Sequence, residues 1–378
     1  MGADWGEQDG SAHAVALEVL VSGPIARSDL ARRLGLSQSS LSRLTKPLVE
    51  SGLLVEADVA EPQGRRVGRP TQPLDVVPGT RRFVGIKVTA EAAHGVLTDL
   101  RCAEIDRFDV ALASRSVEDV VAAVAAVVAR LTRRSAADGV GVSISGPVVG
   151  GRTVVDSPFL GWREEVGLAD LVEEATGLPA TLSNDLVALT HAEQWFGAGR
   201  LAENVAVITI GAGVGFGLIA GGRVVQSPDD GVSPISHVPL DRGGPMCFAG
   251  HRGCAVALLT IDAICSQVSI GLGRSVGYEE VLRLAREGDP VPAAVVSAAG
   301  RAIGLLIALA ADFSFARTVV VSGEGDGLVD IARPEIDAAI PELRDPRAAP
   351  IELIVRPADF VEWARGAAAM AIRAHVLG

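Results

Sequence analysis

The pattern of hydrophobic and polar positions predicts a helical segment at the N-terminus and a longer α/β body after it. Residues 11–22, SAHAVALEVLVS, space their apolar side chains as a helix does, and Gly23 and Pro24 end that helix. From Arg81 onward, apolar strands alternate with glycine turns and alanine-rich helices, which is typical of an α/β fold. Six strands are predicted in FVGIKV, VLTDL, GVGVSIS, ATLSNDLVAL, VAVITIGAGVGFGLI and TVVVSGEG.

Residues 27–54 have the pattern of a helix-turn-helix. Ser28 is expected to cap one helix, Gly35 to form the tight turn after it, and Ser37 to cap the next helix. An ordinary helical hairpin with a solvated basic face would show the same pattern, so the pattern alone leaves both interpretations open.

The second of these helices is predicted to read DNA, because its polar face is suited to base edges and phosphates while its leucines pack inward. Pro47 lies inside it and cannot donate a hydrogen bond to the carbonyl of Arg43, so we expect a kink or a shortened helix. The inward-facing residues are Leu41, Leu44 and Leu48, and the DNA-facing ones are Gln38, Ser39, Ser42, Arg43 and Lys46.

A wing is predicted next. LLVEADVA has the pattern of a strand, EPQG that of a turn, and GRRVGRPTQPLDVV returns as a second strand. Arg65, Arg66 and Arg69 lie among glycines and Pro70, so their guanidinium groups could enter the minor groove of A·T-rich DNA. A solvated linker is the alternative.

The charge distribution restricts where nucleic acid could bind. Residues 1–82 hold ten basic and ten acidic residues, so the net charge of −12 belongs to the remainder of the 378 residues. A polyanion would therefore contact the N-terminal segment.

Two classes of protein are not expected. The longest apolar run noted, VVAAVAAVVA at residues 120–129, is too short to cross a membrane and indicates a buried helix. No export signal opens the chain, so we expect a cytoplasmic protein without a membrane partner, in which the cysteines are free thiols or metal ligands. They are Cys102, Cys247, Cys254 and Cys265.

Two glycine loops are candidates for phosphate binding: GAGVGFG at 211–217 and SGEGDG at 322–327. Backbone N–H groups in such loops can cradle phosphate, although sheet proteins also use glycine for tight turns.

Four blocks in order resemble the ROK family of repressors and sugar kinases: SPFLGW, SNDLVALTHAEQWFGAG, GAGVGFGLIAGGRVV and HVPLDRGGPMCFAGHRGC. The resemblance is to the subgroup with an N-terminal winged helix-turn-helix. It implies a winged helix domain at 1–80 and a two-lobed, actin-like and sugar-kinase-like (ribonuclease H-like) α/β body around a sugar cleft. The lobes would be 81–195, completed by a C-terminal helix at 358–378, and 196–357, and the protein a homodimer or tetramer.

The resemblance also assigns roles that this chain only partly keeps. Asp185 matches the family's general base, and Asn184, Asp185 and His237 are expected at the effector site. Lys87 replaces the Asp that handles magnesium, and Thr89, Ala90 and Glu91 replace Gly-Gly-Thr, so we expect neither ATP binding nor kinase activity. Pro234-Ile235-Ser236-His237 replaces Glu-x-Gly-His, and Phe159 stands where many members have Asn.

A family zinc loop is also implied, with one ligand missing. The family holds zinc with the motif histidine and cysteines ten, twelve and seventeen residues later, which here are His237, Cys247, Ala249 and Cys254. Because structural zinc takes four ligands, we expect a weakened zinc site completed by His251 or water, or else a loop held by packing alone.

The sequence therefore predicts a transcriptional regulator, most simply a repressor of sugar or carbon metabolism genes. It would bind a double-stranded DNA operator and sense a sugar or sugar phosphate in a non-catalytic body. The alternatives are an active ROK sugar kinase with an attached DNA-binding domain, and a regulator that needs no effector.

Overall fold

The computed structural model describes residues 10–57, 72–200, 202–357 and 359–375. Backbone contacts divide the chain into two compact units. The first unit comprises residues 1–200 and 360–378, and the second comprises residues 201–359. The N-terminal segment and the first body lobe thus lie in one unit, and the residue-80 boundary predicted between them stays a prediction.

The N-terminal helices confirm the helix-turn-helix and correct one cap. The second helix has Ala26 at its N-cap, without a side-chain hydrogen bond, so the cap predicted at Ser28 is wrong. Gly35 ends that helix at a φ of 65°, and the Ser37 hydroxyl accepts a hydrogen bond from the Ser40 N–H. The helices are α1 (Gly10–Ser22), α2 (Arg27–Leu34) and α3 (Gln38–Glu50).

The region after α3 contains the predicted strand pair. Helix α3 continues past Pro47 to Glu50, so the expected shortening at the proline does not occur. Strands β1 (Leu54–Glu56) and β2 (Leu74–Val76) then pair antiparallel, and within the described parts of the two predicted strands, 53–57 and 72–77, only these residues are strand. Arg65, Arg66 and Arg69 lie outside the described residues.

The body of the first unit is a five-stranded sheet in the order β5-β4-β3-β6-β9, with β3, β6 and β9 parallel and β4 and β5 antiparallel. Its strands are β3 (Arg82–Val88), β4 (Ala92–Asp99), β5 (Glu104–Ala111), β6 (Gly139–Ile144) and β9 (Ala180–Asn184). The small strands β7 (Val148–Val149) and β8 (Thr153–Val154) form a separate pair, and the helices are α4 (Val117–Leu131), α5 (Leu168–Thr176) and α6 (Asp185–Phe196).

Two glycines let the C-terminal helix lie directly on this sheet. That helix, α13 (Val361–His375), crosses β3 and β6. A Cβ at Gly85 would lie 1.9 Å from the carbonyl oxygen of Ala364, and one at Gly141 would lie 1.8 Å from that of Ala367. Any larger residue at either position would push the helix away from the sheet.

The N-terminal helices share a hydrophobic core with the body of the first unit. Val15 and Val19 of α1 belong to the same buried cluster as Trp195 of α6 and Ile372 of α13. The C-terminal end of α1 is also hydrogen-bonded to the body. Arg101 donates to the Leu20 and Gly23 carbonyls, and Arg200 donates to the Gly23 carbonyl. Arg101 also pairs with Asp75 of β2.

The second unit repeats the same strand order. Its sheet runs β12-β11-β10-β13-β14, with β10, β13 and β14 parallel and β11 and β12 antiparallel. The strands are β10 (Val205–Ile210), β11 (Val214–Ala220), β12 (Arg223–Val224), β13 (Thr318–Ser322) and β14 (Glu352–Val355). The helices are α7 (Ala255–Leu259), α8 (Ile261–Leu272), α9 (Tyr278–Arg286), α10 (Pro290–Ser314), α11 (Asp326–Ile331) and α12 (Arg333–Leu343).

Helix α10 corrects the prediction about apolar segments. Among the described residues, the longest apolar helix is α10, with 25 residues, and not the run at 120–129, which lies within α4. By length and composition α10 could cross a membrane, but 61% of its most apolar stretch is buried within the protein. We therefore assign it to the core, where it packs against α12, α9 and α8.

Candidate functional site

The outer face of α3 is a candidate nucleic-acid interface. Leu41 and Leu48 are buried and anchor the helix, and Thr45, also buried, accepts a hydrogen bond from Arg27. This anchoring leaves the other side of the helix in solvent. All five residues predicted to face DNA are exposed: Gln38, Ser39, Ser42, Arg43 and Lys46.

The predicted general base lies in an ion pair. Asp185 is the first residue of α6, and its Oδ2 accepts from the Lys87 Nζ of β3 at 2.5 Å. The lysine side chain is 7% exposed and the aspartate side chain 18% exposed. The Lys87 ammonium also lies 5.1 Å from the ring centre of Trp363, within range of a cation–π contact. The two positions that the sequence treated separately thus form one buried site.

The amide of Asn184 has a structural task. Its Nδ2 donates to the Gly146 carbonyl, and its Oδ1 accepts from the N–H groups of Leu186 and Val187 as the N-cap of α6. Both polar atoms therefore have partners inside the protein, and Asn184 holds the turn on which Asp185 lies.

Serines line the same end of the sheet. The strand register places Lys87 opposite Ser143, and Ser143 opposite Ser183, on one face of the sheet. The Ser183 hydroxyl is buried and has no hydrogen-bond partner among the described residues. Ser145 and Ser157 bond to each other at 2.8 Å.

In the second unit, a carboxylate occupies the space beside the first glycine loop. Only 211–213 and 323–325 of the two predicted glycine loops are loop, because 214–217 lies in β11 and 326–327 begins α11. These short loops follow the parallel neighbours β10 and β13, so they lie side by side. The Glu324 carboxylate lies against Gly211, where an added Cβ would be 2.0 Å from its Oε2. A carboxylate at this position would repel a phosphate group.

A cluster of two histidines and two cysteines confirms the proximity expected of the metal loop. The Cys247 Sγ lies 3.7 Å from the His237 Nδ1 and 3.8 Å from the His251 Nδ1, and the Cys254 Sγ lies 3.8 Å from the His237 Nδ1. All four ligand atoms are within 4.8 Å of one another. Tetrahedral zinc with bonds of about 2.0 to 2.3 Å separates its ligands by about 3.5 Å, so this donor set fits the ion.

An apolar surface adjoins the cluster. A cavity of about 520 Å³ is lined by His237 and by apolar residues that include Phe216, Leu309 and Phe313. Phe313 is 83% exposed, and Phe248, which is 88% exposed, packs its ring against His237. We call Phe248, Phe313 and this cavity the Phe313 surface.

Two features of the site lie beyond sequence reasoning. The contact of Lys87 with Asp185 joins residues 98 positions apart and depends on the order of parallel strands. The contacts of Arg101 and Arg200 with α1 join residues that no motif connects. Of these residues, only Lys87 could have been noticed in the sequence, because it is the charged residue within the apolar segment FVGIKV.

Comparisons with known proteins agree with this architecture. The family model described as "ROK family" matches residues 83–374. The N-acetylglucosamine repressor of Escherichia coli O6:H1 is 24% identical over 340 residues, which cover 84% of this chain and 81% of that protein.

Two solved structures share the fold. One is a ROK family transcriptional regulator, a homologue of the E. coli Mlc protein, with a TM-score of 0.77 and 23% identity, covering 97% of this chain and 96% of that one. The other is the ROK hexokinase of Thermus thermophilus, with a TM-score of 0.66 and 24% identity, covering 79% of this chain and 100% of that one.

Proposed function

Because the chain belongs to the ROK family, we propose that it is a DNA-binding transcriptional regulator that represses genes of sugar or carbon metabolism. The observation that carries the proposal is the exposed polar and cationic face of α3, presented by a helix-turn-helix that shares a core with a kinase-like body. The E. coli repressor named above supports the direction of control and the sugar class.

The DNA contact follows from the position of α3. In a helix-turn-helix the second helix lies in the major groove, so Arg43 would contact bases and Lys46 the phosphates. We propose that Arg65, Arg66 and Arg69 reach the adjacent minor groove. The test is selection of bound fragments from a random DNA library, followed by binding titrations; no enrichment of any sequence over competitor DNA would reject the proposal.

We propose that the regulator acts as a homodimer joined through the Phe313 surface. This surface carries a protruding ring and an apolar cavity side by side, so two copies related by a two-fold axis could each insert Phe313 into the other. The charge next to Phe313 in α10, Asp312, is already paired with Arg344 within the chain, so an identical face would meet less repulsion.

We propose that the body senses a sugar or sugar phosphate and does not catalyse. A base must be free to take a proton, whereas the Asp185 carboxylate is bonded to the Lys87 ammonium. Asp185 and His237 remain the proposed effector-binding residues, and Asn184 acts by positioning Asp185.

The kinase alternative rests on the shared fold with the T. thermophilus hexokinase and on the place of Asp185 at the start of α6. Its test is ATP-dependent phosphorylation of a panel of hexoses by the full chain. Turnover that Asp185→Asn abolishes would establish the kinase and reject the non-catalytic body. A regulator without an effector is indicated instead if no ligand of that panel changes DNA binding.

We propose that His237, Cys247, His251 and Cys254 hold a structural zinc ion. Zinc would supply a four-ligand crosslink between the two ends of the loop, since its ligands lie up to 17 positions apart. We also propose that the protein works in the cytoplasm, where such thiols stay reduced.

A further inference from the structure

The Lys87 ammonium has hydrogen-bonding capacity that the protein itself does not use. An ammonium carries three N–H donors, and Asp185 is the one hydrogen-bond partner of Lys87 among the described residues. Trp363 covers one side of the ammonium with its ring and accepts no conventional hydrogen bond there. Two donors of a side chain that is more than nine-tenths buried are therefore available to a ligand.

Asp185 offers the matching acceptor. Its Oδ2 accepts from Lys87 and its Oδ1 accepts from the Leu186 N–H at 2.9 Å, so each oxygen keeps one lone pair. The carboxylate remains partly exposed, which gives a ligand access to it. Ser183 lies two residues before Asp185 on the face that carries Lys87, and its buried hydroxyl is unpartnered among the described residues.

We infer that Lys87 and Asp185 together bind two neighbouring hydroxyl groups of an uncharged polyol, with Ser183 bonding to one of them. One hydroxyl accepts from Lys87 and the other donates to Asp185, so Lys87, Asp185 and Ser183 each gain a partner. Lys87 is thereby a specificity-determining residue at a position where the resemblance implies a magnesium-handling acid. This inference rests on the proposed sensing function. Of the two proposed effector classes, it selects the uncharged sugar over the sugar phosphate.

The charges in this corner disfavour a phosphorylated ligand. The single positive charge of Lys87 is already balanced by Asp185 at 2.5 Å, so the pair is neutral as a whole. A phosphate bound to Lys87 would lie beside the Asp185 carboxylate in a buried environment, where repulsion between like charges is strong. Hydroxyl groups satisfy both partners without adding charge.

The experiment uses the fact that the chain has two lysines, Lys46 and Lys87. Protein grown with lysine labelled at the ε carbon with ¹³C gives two side-chain NMR signals, which Lys46→Met assigns. The full chain is titrated with glucose, N-acetylglucosamine and xylose, and with the 6-phosphates of the first two. We expect an uncharged sugar to shift the Lys87 signal, and its 6-phosphate to bind at least about tenfold more weakly.

Affinities of variants separate a ligand contact from a structural role. Lys87→Met and Asp185→Asn should each weaken sugar binding at least about tenfold, because each loses a charged hydrogen bond. Lys87→Arg keeps a charged donor and should retain part of the affinity, which guards against misfolding of the Met variant. The control is Arg347→Met, which removes an exposed cation paired with Asp345 and should bind as the wild type does.

Several results would overturn the inference: tighter binding of the 6-phosphate, sugar binding that leaves the Lys87 signal unmoved, full affinity in Lys87→Met, or no binding by any of the five probes. DNA binding by the wild-type protein is measured separately on selected fragments. If the wild-type protein shows no sequence-selective DNA binding, the proposed function is rejected while the sugar result stays intact.

Discussion

His191 sits wholly inside the first unit, on α6, and is 2% exposed. Burial, followed by the nearby Arg373 charge, lowers the pKa of this imidazole to about 4, and Gln194 partly offsets the shift. The folded state therefore favours the neutral ring, whereas the unfolded chain takes up a proton near the ordinary pKa of 6.5.

We expect this group to make the protein less stable in mild acid. Its contribution is complete above about pH 6.5 and falls as the pH drops from 6.5 towards 4, by about 3 kcal/mol in all. His191→Gln should flatten that part of the pH profile. The free energy of unfolding in urea is measured at pH 7.5 and pH 5.0 for both proteins. An equal loss of stability in the wild type and in His191→Gln would contradict the assignment.

The missing ligand at Ala249 gives a second prediction at the scale of single residues. Ala249→Cys places a thiol twelve positions after His237 and should increase zinc retention against a chelator. His251→Ala should lose zinc, and the double variant should regain it, because the new cysteine replaces the histidine. Metal content per chain by mass spectrometry is the measurement; zinc loss in the double variant would exclude the cysteine as a ligand.

At the scale of elements, the proposed roles of Arg43 and Lys46 in α3 separate base reading from phosphate binding. Arg43→Ala should cost about 1 to 3 kcal/mol on the preferred sequence and reduce discrimination between sequences. Lys46→Ala should weaken binding to all sequences alike and lower the salt slope by about one. Titrations at several salt concentrations on preferred and scrambled DNA measure both effects. Identical behaviour of the two variants would show that these assignments are wrong.

The attachment of α1 to the body is also testable. Arg101 bonds the Leu20 and Gly23 carbonyls and pairs with Asp75, so Arg101→Ala should destabilise the end of α1 by about 1 to 3 kcal/mol. Hydrogen exchange of the α1 amides should speed up, while exchange in the sheet of the second unit should not change. Arg32→Ala, which removes an exposed pair with Asp29, is the control.

Sequence patterns predicted the ends of the N-terminal helices correctly where local chemistry determines the structure. Gly35 and Ser37 were assigned correctly because a left-handed turn and a side-chain cap are local features. Ser28 was assigned wrongly because the backbone at Ala26 is already extended and starts the helix two residues earlier. The buried Lys87–Asp185 pair depends on strand order, which no single segment encodes.

For the whole molecule, the prediction concerns self-association. Phe313→Asp places a charge on the Phe313 surface and should convert a dimer into single chains, because burying an unpaired carboxylate is costly. Light scattering after size exclusion gives the mass directly. Val149→Asp, at an exposed site in the first unit, should leave the mass unchanged. A Phe313→Asp protein that remains a dimer would place the interface elsewhere.

The shared core of the N-terminal helices has a consequence for synthesis on the ribosome. Val15 and Val19 belong to one cluster with Ile372, and more than 330 residues separate the end of α1 from the start of α13. A nascent chain thus carries the helices proposed to read DNA without the helix that completes their support until α13 has been made. Chains that terminate before α13 would lack that support, which couples the proposed operator recognition to synthesis of α13.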